Sequence, residues 1–173
     1  GWIMPAHAPR NVAGFEKRAA DWARHDHRVE VLDRAASAAR IGSDWWHGAM
    51  FDREGGHLNP LAYTRGLAAA ALRAGARIVT ECPVTAIEGR VVHTARGRID
   101  AERVIVATNA HPETPLAGIA DQAVPLHVWQ MASTPYPADV VARVLPGSPS
   151  LSDTRNDLFA VRWTADRRLV IGG

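Results

Sequence analysis

Residues 53–84, REGGHLNPLAYTRGLAAAALRAGARIVTECPV, decide how the rest of the chain is read. Asn59 is a good N-cap, Pro60 takes the favoured first helical position, and Gly75 is placed to end the helix. Between them Leu61, Leu67, Ala68, Ala71 and Leu72 fall on one apolar face, while Arg65 and Arg73 point away. Gly66 costs about 1 kcal/mol in a helix interior relative to Ala. Close approach of this helix to a sheet would compensate that loss. The run RIVTEC (77–82) follows within two residues, the helix-to-strand step of an α/β unit.

Working outward towards the C-terminus, residues 85–102 read as short strands joined at Gly89 and Gly97, a small meander. RVIVATNA (103–110) is a continuous apolar run ending in small polar residues, as expected of a strand buried on both faces. Residues 110–149 are rich in proline and carry one strand candidate, LHVWQMAS (126–133). DLFAVRWTADRRLVIGG (157–173) is predicted as two strands around a turn at 164–167. Towards the N-terminus, Gly1 to Pro9 reads as an edge strand running into a loop. Asn11 is placed to cap a helix carrying Phe15, Ala19, Trp22 and Ala23. RVEVLD (28–33) is a short strand, RAASAAR (34–40) a short helix, and Trp45-Trp46 with Ala49-Met50-Phe51 a second strand. Antiparallel-type strands thus flank an α/β segment, the pattern of one domain interrupted by another.

The 173 residues suit one domain or parts of two. An apolar fraction of 47% is ample for a core, and 22% charged residues is ordinary for a soluble protein. No run approaches the roughly 18 apolar residues of a membrane span. A net charge of +2 with scattered basic residues gives no stripe for nucleic acid. Arginine replaces lysine everywhere except Lys17, and alanine is abundant, a bias expected of a GC-rich bacterial genome. The single Cys82 excludes an internal disulfide and any multi-cysteine zinc site, and it is consistent with a reducing cytoplasm. The N-terminus has neither an initiator Met nor a signal-peptide layout, and the chain stops at Gly173 inside a predicted sheet. The expectation is a central piece of a longer polypeptide.

Several chemistries are excluded. No Gly-x-Gly occurs, so the dinucleotide fingerprint is absent, as are a P-loop and a His-Glu-x-x-His zinc motif. Neither Ser43 nor Ser148 has a Gly-x-Ser-x-Gly setting. His25-Asp26-His27 has the residue types of a chelate, but its polar helix end suits solvation better, and no metal site is expected. Gly55-Gly56-His57 has three readings: a tight turn before the Asn59 cap, a catalytic histidine without an identifiable carboxylate partner, or close backbone approach to a planar ligand. Thr108-Asn109-Ala110 is either a polar strand end or a ligand contact, because open α/β sheets bind ligands beyond the carboxyl ends of their strands.

Together GAMFDREGGHLNPLAYTRGLAAAALRAGARI, CPVTAIE, VVHTARGRIDAERVIVATNA and LSDTRNDLFAVRWTADRRLVIGG resemble the middle of a flavoprotein. The family is that of the D-amino-acid-oxidase-like FAD-dependent amine oxidoreductases, with glycine oxidase and sarcosine oxidase. Order and wording are most similar to its γ-glutamylputrescine oxidoreductase branch. The resemblance implies an α/β plus α+β fold, in which a partial, glutathione-reductase-like FAD-binding domain is interleaved with an antiparallel-sheet substrate domain. Residues 1–54 and 113–173 would belong to the substrate domain and 55–112 to the FAD domain.

The same resemblance implies site residues. Val84 would meet the adenine of FAD through its main chain. Thr108, Asn109 and Ala110 would pass close to the phosphates and ribose. Gly56 and His57 would lie at the crossover near the isoalloxazine. Phe159 falls where the glycine oxidase branch places a pocket tyrosine, so the hydroxyl is missing here, and Arg155 and Arg162 are candidate substrate anchors. Cys82 lies far from the position of a flavin-linking cysteine, so FAD would be non-covalent. The implied activity is oxidation of a small-molecule amine or amino acid by hydride transfer to flavin N5, with O₂ or another acceptor reoxidising the flavin. No acid–base residue is required. The competing expectations are an inactive, cofactor-free piece and a non-enzymatic ligand-binding module.

Overall fold

The computed structural model describes residues 1–109, 124, 126–157 and 159–173. It divides into two compact units, the first formed by Gly1–Asn59 with Val128–Gly173 and the second by Pro60–His127.

The first unit is a seven-stranded sheet with three helices. In chain order its elements are β1 (Trp2–Pro5), α1 (Pro9–Ala23), β2 (Glu30–Leu32), α2 (Arg34–Ile41) and β3 (Ala49–Asp52). The second unit contributes α3 (Pro60–Arg73), β4 (Val84–Glu88), β5 (Val91–Thr94) and β6 (Gly97–Asp100). The chain then returns to the first unit with β7 (Gln130–Ala132), α4 (Ala138–Arg143), β8 (Ser150–Ser152), β9 (Ala160–Trp163) and β10 (Leu169–Gly172). The large sheet runs β2-β3-β1-β8-β9-β10-β7, and β4-β5-β6 is a separate antiparallel sheet.

β1 lies inside the sheet, between β3 and β8, and not at its edge. Its prolines suggested an edge, but Pro5 is the last residue of the strand, and Ile3 and Pro5 are fully buried. The β1–β8 pair is parallel, with Trp2 opposite Ser150 and Ile3 opposite Leu151, so the sheet is mixed where an antiparallel one was expected. α1 begins at Pro9 with Ala8 before it, and Asn11 falls within the first turn. Proline at the first helical position was the stronger signal, because its missing N–H is unpaired there in any case. Trp45 and Trp46 precede β3 instead of lying in it. Trp46 is buried, and Trp45 meets its ring edge-on at 4.7 Å.

α2 is closed at both ends by local chemistry. Asp33 Oδ1 accepts from Ala36 N at 2.8 Å, and Gly42 takes the left-handed conformation, φ 80°. A Cβ at Gly42 would lie 1.8 Å from the Arg143 carbonyl oxygen, so glycine also lets α2 meet the end of α4. There Leu145 N donates to Ile41 O at 2.9 Å, and Trp163 Nε1 donates to Val144 O at 2.7 Å.

In the second unit α3 starts at Pro60 and ends as expected at Gly75, φ 90°. Ala76 N bonds Ala71 O and Gly75 N bonds Leu72 O, each at 3.0 Å, which satisfies two terminal carbonyls. The meander is present, turning at Gly89–Arg90 and at Ala95–Arg96, with Gly97 opening β6. Residues 77–82 and 103–109, however, form no strand. Nothing lies within 4 Å of a Cβ built on Gly66, so the expected sheet beneath α3 is not found among the described residues. Leu61, Leu67, Leu72, Ile78, Val79 and Ile105 are correspondingly exposed. An apolar run adopts strand pairing only where a neighbour supplies the other half of the ladder.

Candidate functional site

Strand alternation sorts the first unit's side chains onto two faces. Ile3, Phe51, Leu151, Val161 and Trp163 share one face and form the main core with Ile41, Val144 and Leu145 around α2 and α4. The opposite face carries Trp2, Met4 and Met50, and there α1 packs through Phe15, Val12 and Trp22. Farther along that face come Ser152, Ala160, Arg162 and Val170. No helix of this unit covers them, since α1 packs on β2 and β3 and the other two helices serve the core face.

The result is an open shelf with a shallow cavity of about 190 Å³, lined in part by Trp2, Ser152, Ala160, Arg162 and Val170. Trp2 Nε1 donates to Ser152 Oγ at 2.6 Å, which fixes the indole at the border between the shelf and α1. Arg162 is the one charged residue of the lining and makes no ion pair with a described residue. A half-buried guanidinium without a counter-charge, facing a cavity, is suited to a carboxylate.

Beside Trp2 the chain leaves the sheet through a tightly held turn. The nearly buried Asp52 carboxylate accepts from His27 Nε2 at 3.0 Å and from Glu54 N at 2.9 Å. Burial alone would raise its pKa. The hydrogen bonds from His27 and from the Glu54 and Gly55 backbones outweigh that and hold it below the ordinary carboxylate range. His27 packs on Trp22, ring centroids 5.4 Å apart, and Trp22 stacks on Trp2 at 6.4 Å. A Cβ on Gly55 would come within 2.8 Å of Trp2 Cβ, so only glycine passes here. The histidine sequence weighed as a chelate is therefore part of a hydrogen-bonded turn, and no group of metal-ligand type occurs among the described residues. Nothing in the sequence pairs His27 with Asp52, 25 residues away.

The expected site residues fall in separate places. Gly56 and His57 are exposed after the Asp52 turn, and a Cβ on Gly56 would touch nothing. Val84 opens β4, paired with Thr94 and partly exposed. Thr108 and Asn109 end the apolar run that forms no strand, with Asn109 in the left-handed region at φ 54°, and Ala110 lies outside the described residues. Phe159 packs against the main core, on the side away from the shelf. Arg155 is 2.6 Å from the buried Asp153 carboxylate and lies over the rings of Phe159 and Trp45 at 5.3 and 5.6 Å. Arg162 alone of the three substrate candidates reaches the shelf. Cys82 is a free, half-buried thiol. Among the described residues no helix is long and apolar enough to cross a membrane.

Comparison with known proteins gives one direction. Residues 1–173 match the family described as "DAO: FAD dependent oxidoreductase". γ-Glutamylputrescine oxidoreductase of Escherichia coli is 31% identical over 183 residues, covering 100% of this chain and 42% of that protein. A probable oxidoreductase, OrdL, of Haemophilus influenzae is 32% identical over 83% of the chain and 35% of its own length. Glycine oxidase from Geobacillus kaustophilus superposes with a TM-score of 0.75 at 20% identity, over 99% of this chain and 46% of that one. L-Proline dehydrogenase from P. horikoshii does so with 0.77 at 14%, over 98% and 47%. The two structural likenesses carry the fold. The chain spans less than half the length of each of these relatives.

Proposed function

We propose, from the premise that the chain belongs to the family of FAD-dependent oxidoreductases, that it is the central part of an enzyme oxidising a C–N bond of a small-molecule amine or amino acid. On this reading the first unit is the substrate domain, and the second is part of the FAD-binding domain, with the division drawn at the limits of the two compact units.

The residues of this chain fit part of the cofactor. The exposed residue Val84 at the start of β4, and the left-handed turn at Asn109 after an apolar run, suit contact with the adenine and ribose ends. Gly56, with open space around it, and His57 suit a crossover passing near the ring system. For the diphosphate there is no Gly-x-Gly turn in this sequence. FAD, when bound, supplies an acceptor for the hydride leaving the carbon next to nitrogen.

What this chain's own residues do is orient and select. The open shelf carries the reading: it is half-buried, bordered by the pinned Trp2 indole, and holds Arg162 as its single charge. Arg162 would hold a substrate carboxylate or another electron-rich group and so turn the C–H bond. Among the described residues of the shelf lining there is no Asp, Glu, His or Lys. The final electron acceptor is O₂ or a second carrier. Reaction of the purified protein with a panel of amines and amino acids, followed by product aldehyde or keto acid and by peroxide, tests this. Product from an amine supports the reading, and absence of turnover across the panel contradicts it.

A further inference from the structure

A second cavity of the first unit plays no part in the shelf. It has a volume of about 440 Å³ and lies between α1 and the loop after β8, with Arg10, Asn11, Gly14, Arg18, Asp153 and Arg155 in its lining. Arg10, Gly14 and Arg18 recur every four residues, so they share one stripe of α1, and the missing side chain at Gly14 leaves the space between the two arginines open.

The charges of this cleft do not cancel. Asp153 is the one carboxylate of the described lining, and it is paired with Arg155. Oδ1 accepts from Arg155 N and Phe159 N at 3.1 and 3.2 Å, and Oδ2 makes no hydrogen bond but lies 2.6 Å from Arg155 Nε. Arg10 forms no ion pair with a described residue, and among the described residues the only polar partner of Arg18 is the Met4 sulfur, 3.1 Å from Nη1. A thioether is a weak acceptor that leaves a guanidinium's charge and most of its donors unused. Asn11, in the same lining, has a buried side-chain oxygen with no partner among the described residues. Turning that amide over would present its two N–H donors instead.

We propose that this cleft binds an oxyanion, the carboxylate or phosphate group of a small molecule, between the guanidinium groups of Arg10 and Arg18. Paired guanidiniums match the planar oxygens of such groups, and a concave wall strengthens their field. The site is independent of the redox reaction, so its test does not depend on turnover. Titration calorimetry on the whole protein, with succinate in one arm and inorganic phosphate in the other, reads it directly. Saturable binding of either is expected, and the arm that binds more tightly identifies the source of the anion. Arg10→Gln with Arg18→Gln should weaken binding about tenfold or more, the equivalent of one charge-assisted hydrogen bond. Lys17→Gln, on the same helix outside the lining, should leave it unchanged. Both arginines are exposed, so folding is not at stake, and thermal unfolding of the variants checks that. No saturation by either anion up to about 10 mM, a free energy near −3 kcal/mol, overturns the proposal, as does binding that the double substitution leaves intact.

Discussion

Arg162 and Asp52 lie on the same face of one sheet and do different work. Arg162 has no counter-charge on the shelf, so its replacement should act on substrate and not on folding. In Arg162→Gln the KM for a carboxylate-bearing amine should rise roughly 10- to 100-fold, the loss of one charge-assisted contact, with kcat and melting temperature little changed. Steady-state kinetics beside a melting curve separates those quantities. Asp52 is instead committed to the fold. Its pKa is depressed in the folded protein, so near and below the ordinary value of about 3.9 the unfolded chain binds more protons. Its contribution is therefore complete above that value and is lost as pH falls through the lower, folded one. The stability gap between wild type and Asp52→Asn, from urea unfolding, should be present at about pH 5 and close as the pH falls below about 4. A gap that does not change with pH would contradict the role given to this carboxylate.

At the scale of elements, what the sequence revealed depended on where the deciding information lay. α2, α3 and the β4-β5-β6 meander were legible because caps, turns and alternation are local: Asp33, Pro60, Gly75, Gly89 and Gly97 each act within a few residues. β8 is three residues, Ser-Leu-Ser, with no pattern to read, and its pairing with β1 crosses nearly the whole chain. α4 has six residues in a proline-rich stretch, too few for an apolar period. Residues 77–82 and 103–109 show the opposite failure, a strand pattern that forms no strand. The shelf was legible only through Arg162; the pairing of Trp2 with Ser152, and of His27 with Asp52, is tertiary. Gly42 offers an element-scale test. Gly42→Ala combines a left-handed backbone with a Cβ 1.8 Å from the Arg143 carbonyl, so α2 and α4 must separate. The loss should be at least about 2 kcal/mol. A melting temperature close to wild type would mean that this junction is looser than the geometry implies.

At the scale of the molecule, the chain passes from one compact unit into a second and back. The interleaving inferred from a strand-rich start, an α/β middle and a strand-rich end has a counterpart in that path, although the assignment of each unit to substrate or cofactor is our proposal. The exposed apolar residues of the second unit, Leu67, Ile78, Val79 and Ile105 among them, make an isolated preparation of this chain prone to aggregate, so experiments belong to the whole protein. The first unit has its own core and a shelf that none of its described helices covers. The central claim is that this shelf serves a flavin-dependent oxidation of an amine. Its most direct test is the visible spectrum of the purified whole protein, recorded without oxygen before and after addition of amines and amino acids. The account predicts a flavin band near about 450 nm that bleaches with a carboxylate-bearing amine and bleaches far less readily in Arg162→Gln. A colourless protein, or a flavin band that no amine or amino acid reduces, would contradict it.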